Sequence, residues 1–350
     1  MQRLFGTLPG GTPIHAITLD SGTLQAEILT WGGVLRRLVL VTADGPIDVV
    51  LGLPDLQHYL DDRDNLGILV GRFGNRIAGA TYAHEGTQHR LSANEGDNHL
   101  HGGHEGFGRR VWEVLECGPR RLLLGRVSPD GEEGYPGQLR VEAEFVVEGE
   151  RLLLTWRARS DAPTPVNLTH HPYFNLAGDP AIAAASQQLR VPADHYLPVG
   201  AGLIPTGAVD PVDGGPFDFR TPSTLSARTA PDNAQLRQGN GFDHCLVLAA
   251  QADCTAELYS PHSGVAMRIR SPMPAVQLYE GQGLDSSQPA LGRGLCLEPQ
   301  GFPDAPNHAH FPSAMLLPGE LYEHRIEYRF ALPGTAAPWH RVSAALDAAG

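Results

Sequence analysis

Only four cysteines occur in 350 residues, Cys117, Cys245, Cys254 and Cys296, and none of them stands in a CxxC spacing. That argues against a disulfide framework or a cysteine-built metal knuckle and points to reduced thiols. Basic residues are scarce as well: 26 Lys and Arg face 39 Asp and Glu, which leaves a formal net charge of -13 with no basic run to interrupt it. Such a surface repels nucleic-acid phosphates and anionic lipid, so neither partner is expected. No stretch reaches membrane-spanning length, and the amino terminus breaks at Pro9 and Gly10 before an apolar signal core forms. Repeats of solenoid period and low-complexity linkers are also missing. The class that survives these exclusions is a cytoplasmic enzyme.

What the chain does contain is apolar mass and turns. Hydrophobic residues make up 41% and charged residues 19%, enough for a sizeable core, and 41 Gly with 29 Pro supply many reversals. Length alone leaves the domain count open, because all-β folds often exceed 200 residues as one unit. Period-two alternation decides the class. Leu139, Val141, Ala143 and Phe145 alternate with Arg140, Glu142 and Glu144, as a strand with one buried and one wet face requires. Leu154, Trp156 and Ala158 repeat the pattern, as do Val265, Met267 and Ile269 against Arg268 and Arg270. Near the carboxyl end Tyr322, His324, Ile326, Tyr328 and Phe330 alternate with a charged, water-facing set. Turn pairs such as Asp44-Gly45, Asp130-Gly131 and Pro318-Gly319 separate these runs. Helices are scarce, with short candidates at Pro54 to Leu60 and Ala344 to Ala349. An all-β fold, a large antiparallel β-sandwich, is therefore expected, with residues from about 334 to 350 as a poorly constrained tail.

Chemistry concentrates in two places. Val166 to Gly178 sets His170 and His171 among β-formers, and an imidazole near its ordinary pKa of about 6.5 gives or takes a proton at neutral pH. Far downstream, Glu298 lies in the apolar run Gly294-Leu295-Cys296-Leu297-Glu298-Pro299, where a carboxylate is costly unless it has a task. Together they read as one base and one acid. The structural alternatives are a packed histidine and a buried glutamate paired with an arginine.

Several motifs, in order, resemble the aldose 1-epimerases, also called galactose mutarotases. Gly71-Arg72-Phe73-Gly74-Asn75-Arg76-Ile77-Ala78 and Asn98-His99-Leu100-His101-Gly102-Gly103 are similar to the family's first two signatures. Asp130 to Gly137, Asn167 to Gly178, Leu203 to Gly207, Phe242-Asp243-His244 and Gly301 to Ala305 continue the likeness, which runs from roughly Ile17 to Phe330. Many short motifs in family order are specific where one alone is weak. The chain departs from the pattern at His170, where the family usually has Asn, and at Pro172, where it often has Ser.

The resemblance implies one domain over 1–350, with its core at about 17–330, in the galactose mutarotase-like supersandwich. It implies an isomerase of hexose metabolism that interconverts α and β anomers of free aldoses by opening and reclosing the ring, with Glu298 as general base and His171 as general acid. Arg76, His101 and Asp243 match the sugar-binding positions. Asn75 and His99 flank matched positions, and Tyr279 is a candidate platform. No metal, nucleotide or other cofactor is implied, and a monomer is expected, with a dimer as the alternative. If His171 enters a site, His170 should face away, because adjacent strand residues point to opposite faces. Arg76 has a bland alternative as a structural arginine capping carbonyls, and Asp243 as a turn former. Three other functions stay open: a zinc site built from His99, His101, His104, His308 and His310, a sugar-binding module without chemistry, and a glycoside hydrolase using Glu298 and Asp243.

Overall fold

The computed structural model describes residues 1–349, with the backbone alone at residues 285 and 286. Strand pairs within its sheets are antiparallel, while an isolated bridge between Phe73 and Asn167 runs parallel. The largest sheet has nine strands. From one edge it runs Glu113–Cys117, Arg121–Ser128, Leu139–Glu148, Arg151–Ser160 and Tyr322–Ala331, then Ala266–Arg270, Ala256–Tyr259, Gln188–Arg190 and Ser223–Thr224.

The alternation read from sequence sets this register. Val141 lies opposite Ala158, Ala143 opposite Trp156 and Phe145 opposite Leu154, all buried. The other face carries a cross-strand row of charge in which Glu144 accepts from Arg121 at 2.5 Å and Arg157 at 3.2 Å, and Arg157 reaches Glu323 at 3.2 Å. Cross-strand pairs of this kind favour one register over its neighbours. A five-stranded amino-terminal sheet, Gln2–Thr7, Pro13–Asp20, Leu24–Leu29, Leu35–Thr42 and Gly45–Asp48, packs Leu19, Ala26 and Ile28 into the same core cluster.

Two expectations are corrected near the carboxyl end. The segment from about 334 onward is not a loose tail: Trp339–Ala348 forms a helix that buries Val342 and Leu346 against Tyr259, Ala266 and Ala331. Alanine-rich sequence favours helix, and the i, i+4 pair of Val342 and Leu346 gives it one apolar stripe to bury. Gly350 lies outside the described residues. As a result Arg268, expected on a wet face, is 4% exposed and bonded to Glu257 at 2.7 Å and to Asp347 of that helix at 2.6 Å. The other helix expected from sequence forms at Leu56–Asp61, capped by the Asp55 carboxylate accepting from His58 N–H, close to where it was expected.

A third sheet positions the candidate site. It has five strands in the order Asp210–Pro211, Ala193–Tyr196, Asp243–Leu248, Ala275–Tyr279 and Cys296–Gln300. Leu246, Val276, Leu278 and Leu297 face the main core. The register pairs Asp243 with Tyr279 and Tyr279 with Cys296, and Gln277 with Glu298. Residues directly opposite share a face, and so do residues two apart. Asp243, Gln277, Tyr279, Cys296 and Glu298 therefore line the face turned away from the core.

Candidate active site

Short pieces of chain close over that polar face. Thr169–His170 pairs with Leu69–Val70, and His99–Leu100 pairs with Arg76–Ile77. The result is a pocket of about 170 Å³ lined by Asn75, Arg76, His101, His171, Asp243 and Glu298, with Glu95, Tyr173, Gln277 and Tyr279 also on its wall. Seven of the eight sequence-nominated residues thus lie on one cavity, His99 being the exception, although residues 75–101, His171 and the third sheet come from separate parts of the chain.

His171 and Glu298 are 4% and 2% exposed, and His171 Nε2 stands 3.7 Å from Glu298 Oε1. That gap is longer than a hydrogen bond, so neither group is committed to the other. Glu298 Oε2 is buried and has no hydrogen-bond partner among the described residues. Burial pushes the Glu298 carboxyl well above the ordinary range; the charge of Asp243 adds to this and Arg76 opposes it. Burial also pulls the His171 imidazole down to about 4, against its own backbone hydrogen bond and Asp243. Both shifts favour an uncharged pair. On its other side His171 Nδ1 lies 3.5 Å from the Cys296 thiol, and its ring meets Tyr173 and Tyr279 with centroids 5.2 and 6.4 Å away.

Arg76 is held on two sides. Its Nε and Nη2 donate to Glu95 at 2.6 and 2.8 Å, and Nη1 lies 3.6 Å from Asp243 Oδ2. Burial alone would lower its pKa, but Asp243 and Glu95 outweigh it and the guanidinium is held charged. Asp243 also accepts from Gln277 Nε2 at 2.5 Å. Arg76 is therefore not a cap for backbone carbonyls. That role belongs to buried Arg72, which donates to the carbonyls of Ser128, Pro129, Pro136 and Gly137 and to the Ser128 hydroxyl.

His101 shows how the backbone sets a tautomer. Asn75 N–H donates to His101 Nδ1 at 3.1 Å, and His101 N–H donates back to the Asn75 carbonyl at 3.2 Å. With Nδ1 accepting, the ring proton sits on Nε2, which makes the neutral ring a donor on its other edge. Both residues adopt positive φ, 68° and 50°, a strained choice tolerated where the surroundings enforce it. The next residue, Gly102, has φ of 87°, and a Cβ there would meet the Gly71 carbonyl oxygen at 1.8 Å, so only glycine fits.

The other histidines singled out from sequence, His104 apart, have structural partners. His170 faces the core as expected, its Nδ1 3.1 Å from Tyr328 Oη and its ring against Phe145. His99 is tied between the Ser92 carbonyl at 2.7 Å and the Tyr135 hydroxyl at 2.6 Å, beneath the pocket rather than in it. His308 meets Asp304 at 3.2 Å, and His310 lies 2.7 Å from the Gly207 carbonyl. Among the described residues no group of three or more His, Cys, Asp or Glu is placed to hold a metal ion, so the zinc reading has no ligand set. Glu132 pairs with Arg126 at 2.6 Å, and Glu133 accepts from His104 and Glu105 N–H.

Sequence reading missed Glu95, Gln277, Tyr173 and Cys296. Gln277 and Cys296 were recoverable, since each is two residues from a nominated strand residue and must share its face. Glu95 sits in the polar loop Asn94-Glu95-Gly96-Asp97 and carries no signal that separates it from a turn.

Comparison with known proteins points to one family. The sequence model of the family described as Aldose 1-epimerase matches residues 15–329. Galactose mutarotase of Homo sapiens is 38% identical over 344 residues, covering 95% of this chain and 98% of the relative. Aldose 1-epimerase of Escherichia coli (strain K12) is 34% identical over 337 residues, covering 92% and 96%. Among solved structures, galactose 1-epimerase from Lactobacillus acidophilus NCFM superposes with a TM-score of 0.84 at 28% identity, over 94% of this chain and 98% of that one. Among the described residues no helix is long and apolar enough to cross a membrane.

Proposed function

This chain belongs to the aldose 1-epimerase family, and from that premise we propose that it acts as one domain, a cytoplasmic monomer that interconverts the anomers of free aldoses such as galactose and glucose. The observation that carries the reading is the uncommitted pair at 3.7 Å, His171 and Glu298, on a pocket whose other polar groups are already oriented. The four thiols are free, which fits a reducing compartment.

The chemistry follows from one mobile proton. In the ion-pair arrangement, Glu298 takes the proton of the C1 hydroxyl while His171 gives one to the ring oxygen. The bond from C1 to the ring oxygen breaks, a carbonyl forms at C1, and the pair is left as carboxylic acid and neutral imidazole. Burial favours that neutral arrangement, so opening the ring moves the pair toward the state its surroundings prefer. Rotation about C1–C2 and the reverse transfers then give the other anomer. Arg76 and Asp243 present donors and acceptors whose positions are fixed by Glu95 and Gln277, which lowers the entropic cost of orienting the sugar. His101 offers its Nε2–H to a sugar oxygen.

Polarimetry on freshly dissolved α-D-galactose and α-D-glucose tests the proposal. Rotation should relax far faster than the spontaneous rate, and Glu298→Gln should remove the acceleration. Unchanged spontaneous relaxation with the intact protein would leave a sugar-binding module in its place.

A further inference from the structure

Cys296 and Glu298 stand two apart on the strand Cys296–Gln300 and so share a face. The His171 ring reaches both, with Nδ1 3.5 Å from the Cys296 sulfur and Nε2 3.7 Å from the Glu298 carboxylate. We propose that Cys296 is a positioning residue for the anomerisation: its sulfur accepts from His171 Nδ1–H, which keeps one proton permanently on Nδ1 and leaves Nε2 as the nitrogen that trades protons with the sugar. The proposal rests on the isomerase reading above.

Nε2 can serve as acid and as base only if it is protonated in one half of the cycle and bare in the other. The neutral ring must then carry its proton on Nδ1, the opposite of the tautomer that the backbone imposes on His101. Packing alone does not secure this. The rings of His101, Tyr173 and Tyr279 surround His171 with centroids 5.3, 5.2 and 6.4 Å away, and such contacts fix the plane of an imidazole without distinguishing it from its flipped form. A hydrogen bond at Nδ1 makes the distinction. Two groups face that nitrogen. The carbonyl of His171 itself opposes burial in setting the pKa of the ring, but it already accepts from Gly67 N–H at 2.9 Å. The Cys296 sulfur is the only side-chain partner of Nδ1 among the described residues.

Beyond the sulfur the hydrogen bonds continue in the same direction. Tyr173 donates its hydroxyl proton to the Asp64 carbonyl at 2.6 Å, which leaves its oxygen free to accept, and it is bonded to Cys296. With the thiol proton directed to Tyr173, sulfur presents a lone pair to Nδ1–H, and the series from His171 through Cys296 and Tyr173 to the Asp64 carbonyl runs donor to acceptor without conflict. Burial, helped by the carboxylates of Glu298 and Asp243, holds the thiol well above its usual range, so the acceptor is neutral. A carboxylate at Nδ1 would stabilise the imidazolium and weaken it as a proton donor, whereas a thiol orients the ring without adding charge.

Nitrogen NMR of protein carrying isotope-labelled histidine reads the tautomer, the His171 signal being the one lost in His171→Ala. At neutral pH His171 should be neutral and protonated at Nδ1. Cys296→Ala should lower kcat for D-galactose about five- to tenfold, the weight of one modest hydrogen bond, with KM changed by less than about twofold, and should shift the ring toward the Nε2–H form. Cys296→Ser, whose hydroxyl accepts and donates in the same two directions, should restore most of kcat and the Nδ1–H form. In a His171→Ala background Cys296→Ala should cost nothing further, because Cys296 acts through the ring. The proposal is overturned if His171 of the intact protein rests as the Nε2–H tautomer, if Cys296→Ser is no better than Cys296→Ala, if kcat and tautomer ignore both substitutions, or if the loss persists in full without His171. Should Cys296→Ala fail to fold, the tautomer of the intact protein and of Cys296→Ser decides. An intact protein that anomerises no aldose yet holds His171 as Nδ1–H, a form lost in Cys296→Ala, would sink the isomerase reading and leave the hydrogen-bond series standing.

Discussion

Glu257 and Glu298 are both buried glutamates on sheet strands, 0% and 2% exposed, yet their surroundings are opposite. Glu257 takes Arg268 at 2.6 Å on one oxygen and Arg190 at 3.1 Å on the other, under the lid of the Trp339–Ala348 helix. Among the described residues Glu298 has no arginine in contact, one imidazole at 3.7 Å and an oxygen with no hydrogen-bond partner. The first carboxylate is neutralised and fixed. The second is left with an unsatisfied bonding capacity that costs stability and is useful only to a substrate. Burial alone therefore does not mark a functional acid; burial without a permanent counter-charge does.

Exchanging the effects of the two residues would break the comparison. Glu298→Gln should lower kcat by about a hundred- to ten-thousand-fold with the fold intact, as expected for loss of acid–base catalysis. Glu257→Gln should instead cost about 3–5 kcal/mol of stability, because it leaves buried Arg268 with only the largely exposed Asp347 as counter-charge, and should leave the kcat of the folded fraction near normal. Anomerisation rates and urea unfolding on both variants check this directly. The adjacent histidines repeat the contrast on a smaller scale. His171→Ala should abolish most turnover, whereas His170→Ala should cost about 1–3 kcal/mol through its lost bond to Tyr328 and retain activity.

The pH dependence of stability separates the regions again. Burial holds His99, His170, His171, His244 and His324 at pKa values of about 4, 3, 4, 4 and 4. Unfolded, each takes a proton near about 6.5. Below that pH the unfolded chain binds protons that the fold refuses, so stability falls progressively as pH drops toward about 4. Glu298 runs the other way. Its raised pKa means the fold keeps a proton the unfolded chain has released, so its contribution is present below the unfolded value of 4.5 and is lost as pH rises toward the folded one. Glu298→Gln should flatten that upper limb and leave the acid limb alone, which urea titrations across pH would show. The smallest effect is expected for Asp347→Ala, about 0–1 kcal/mol, since Asp347 is largely exposed and Arg268 keeps Glu257.

These contrasts also explain what could be read from sequence. The nine-stranded sheet was legible because alternation has one cause, a wet face and a dry one, as at Leu139 to Phe145. It failed at Arg268, whose wet face is covered by a helix distant in sequence, and at the segment from 334 onward, whose Val342 and Leu346 acquire a meaning only beside Tyr259 and Ala331. In the site, Glu298 and His171 stood out as a carboxylate in an apolar run and an imidazole among β-formers, and Gln277 was implied by strand period. Glu95 was not legible, because its role depends on which arginine the fold brings against it.

A double-mutant cycle on the pair tests the central claim most directly. If one proton passes between Glu298 and His171 through the sugar, removing either partner disables the relay, and Glu298→Gln with His171→Ala together should lower kcat no further than the worse single substitution. Losses that multiply, each variant retaining its factor in the absence of the other, would mean the two groups act independently and would contradict the shared-proton account.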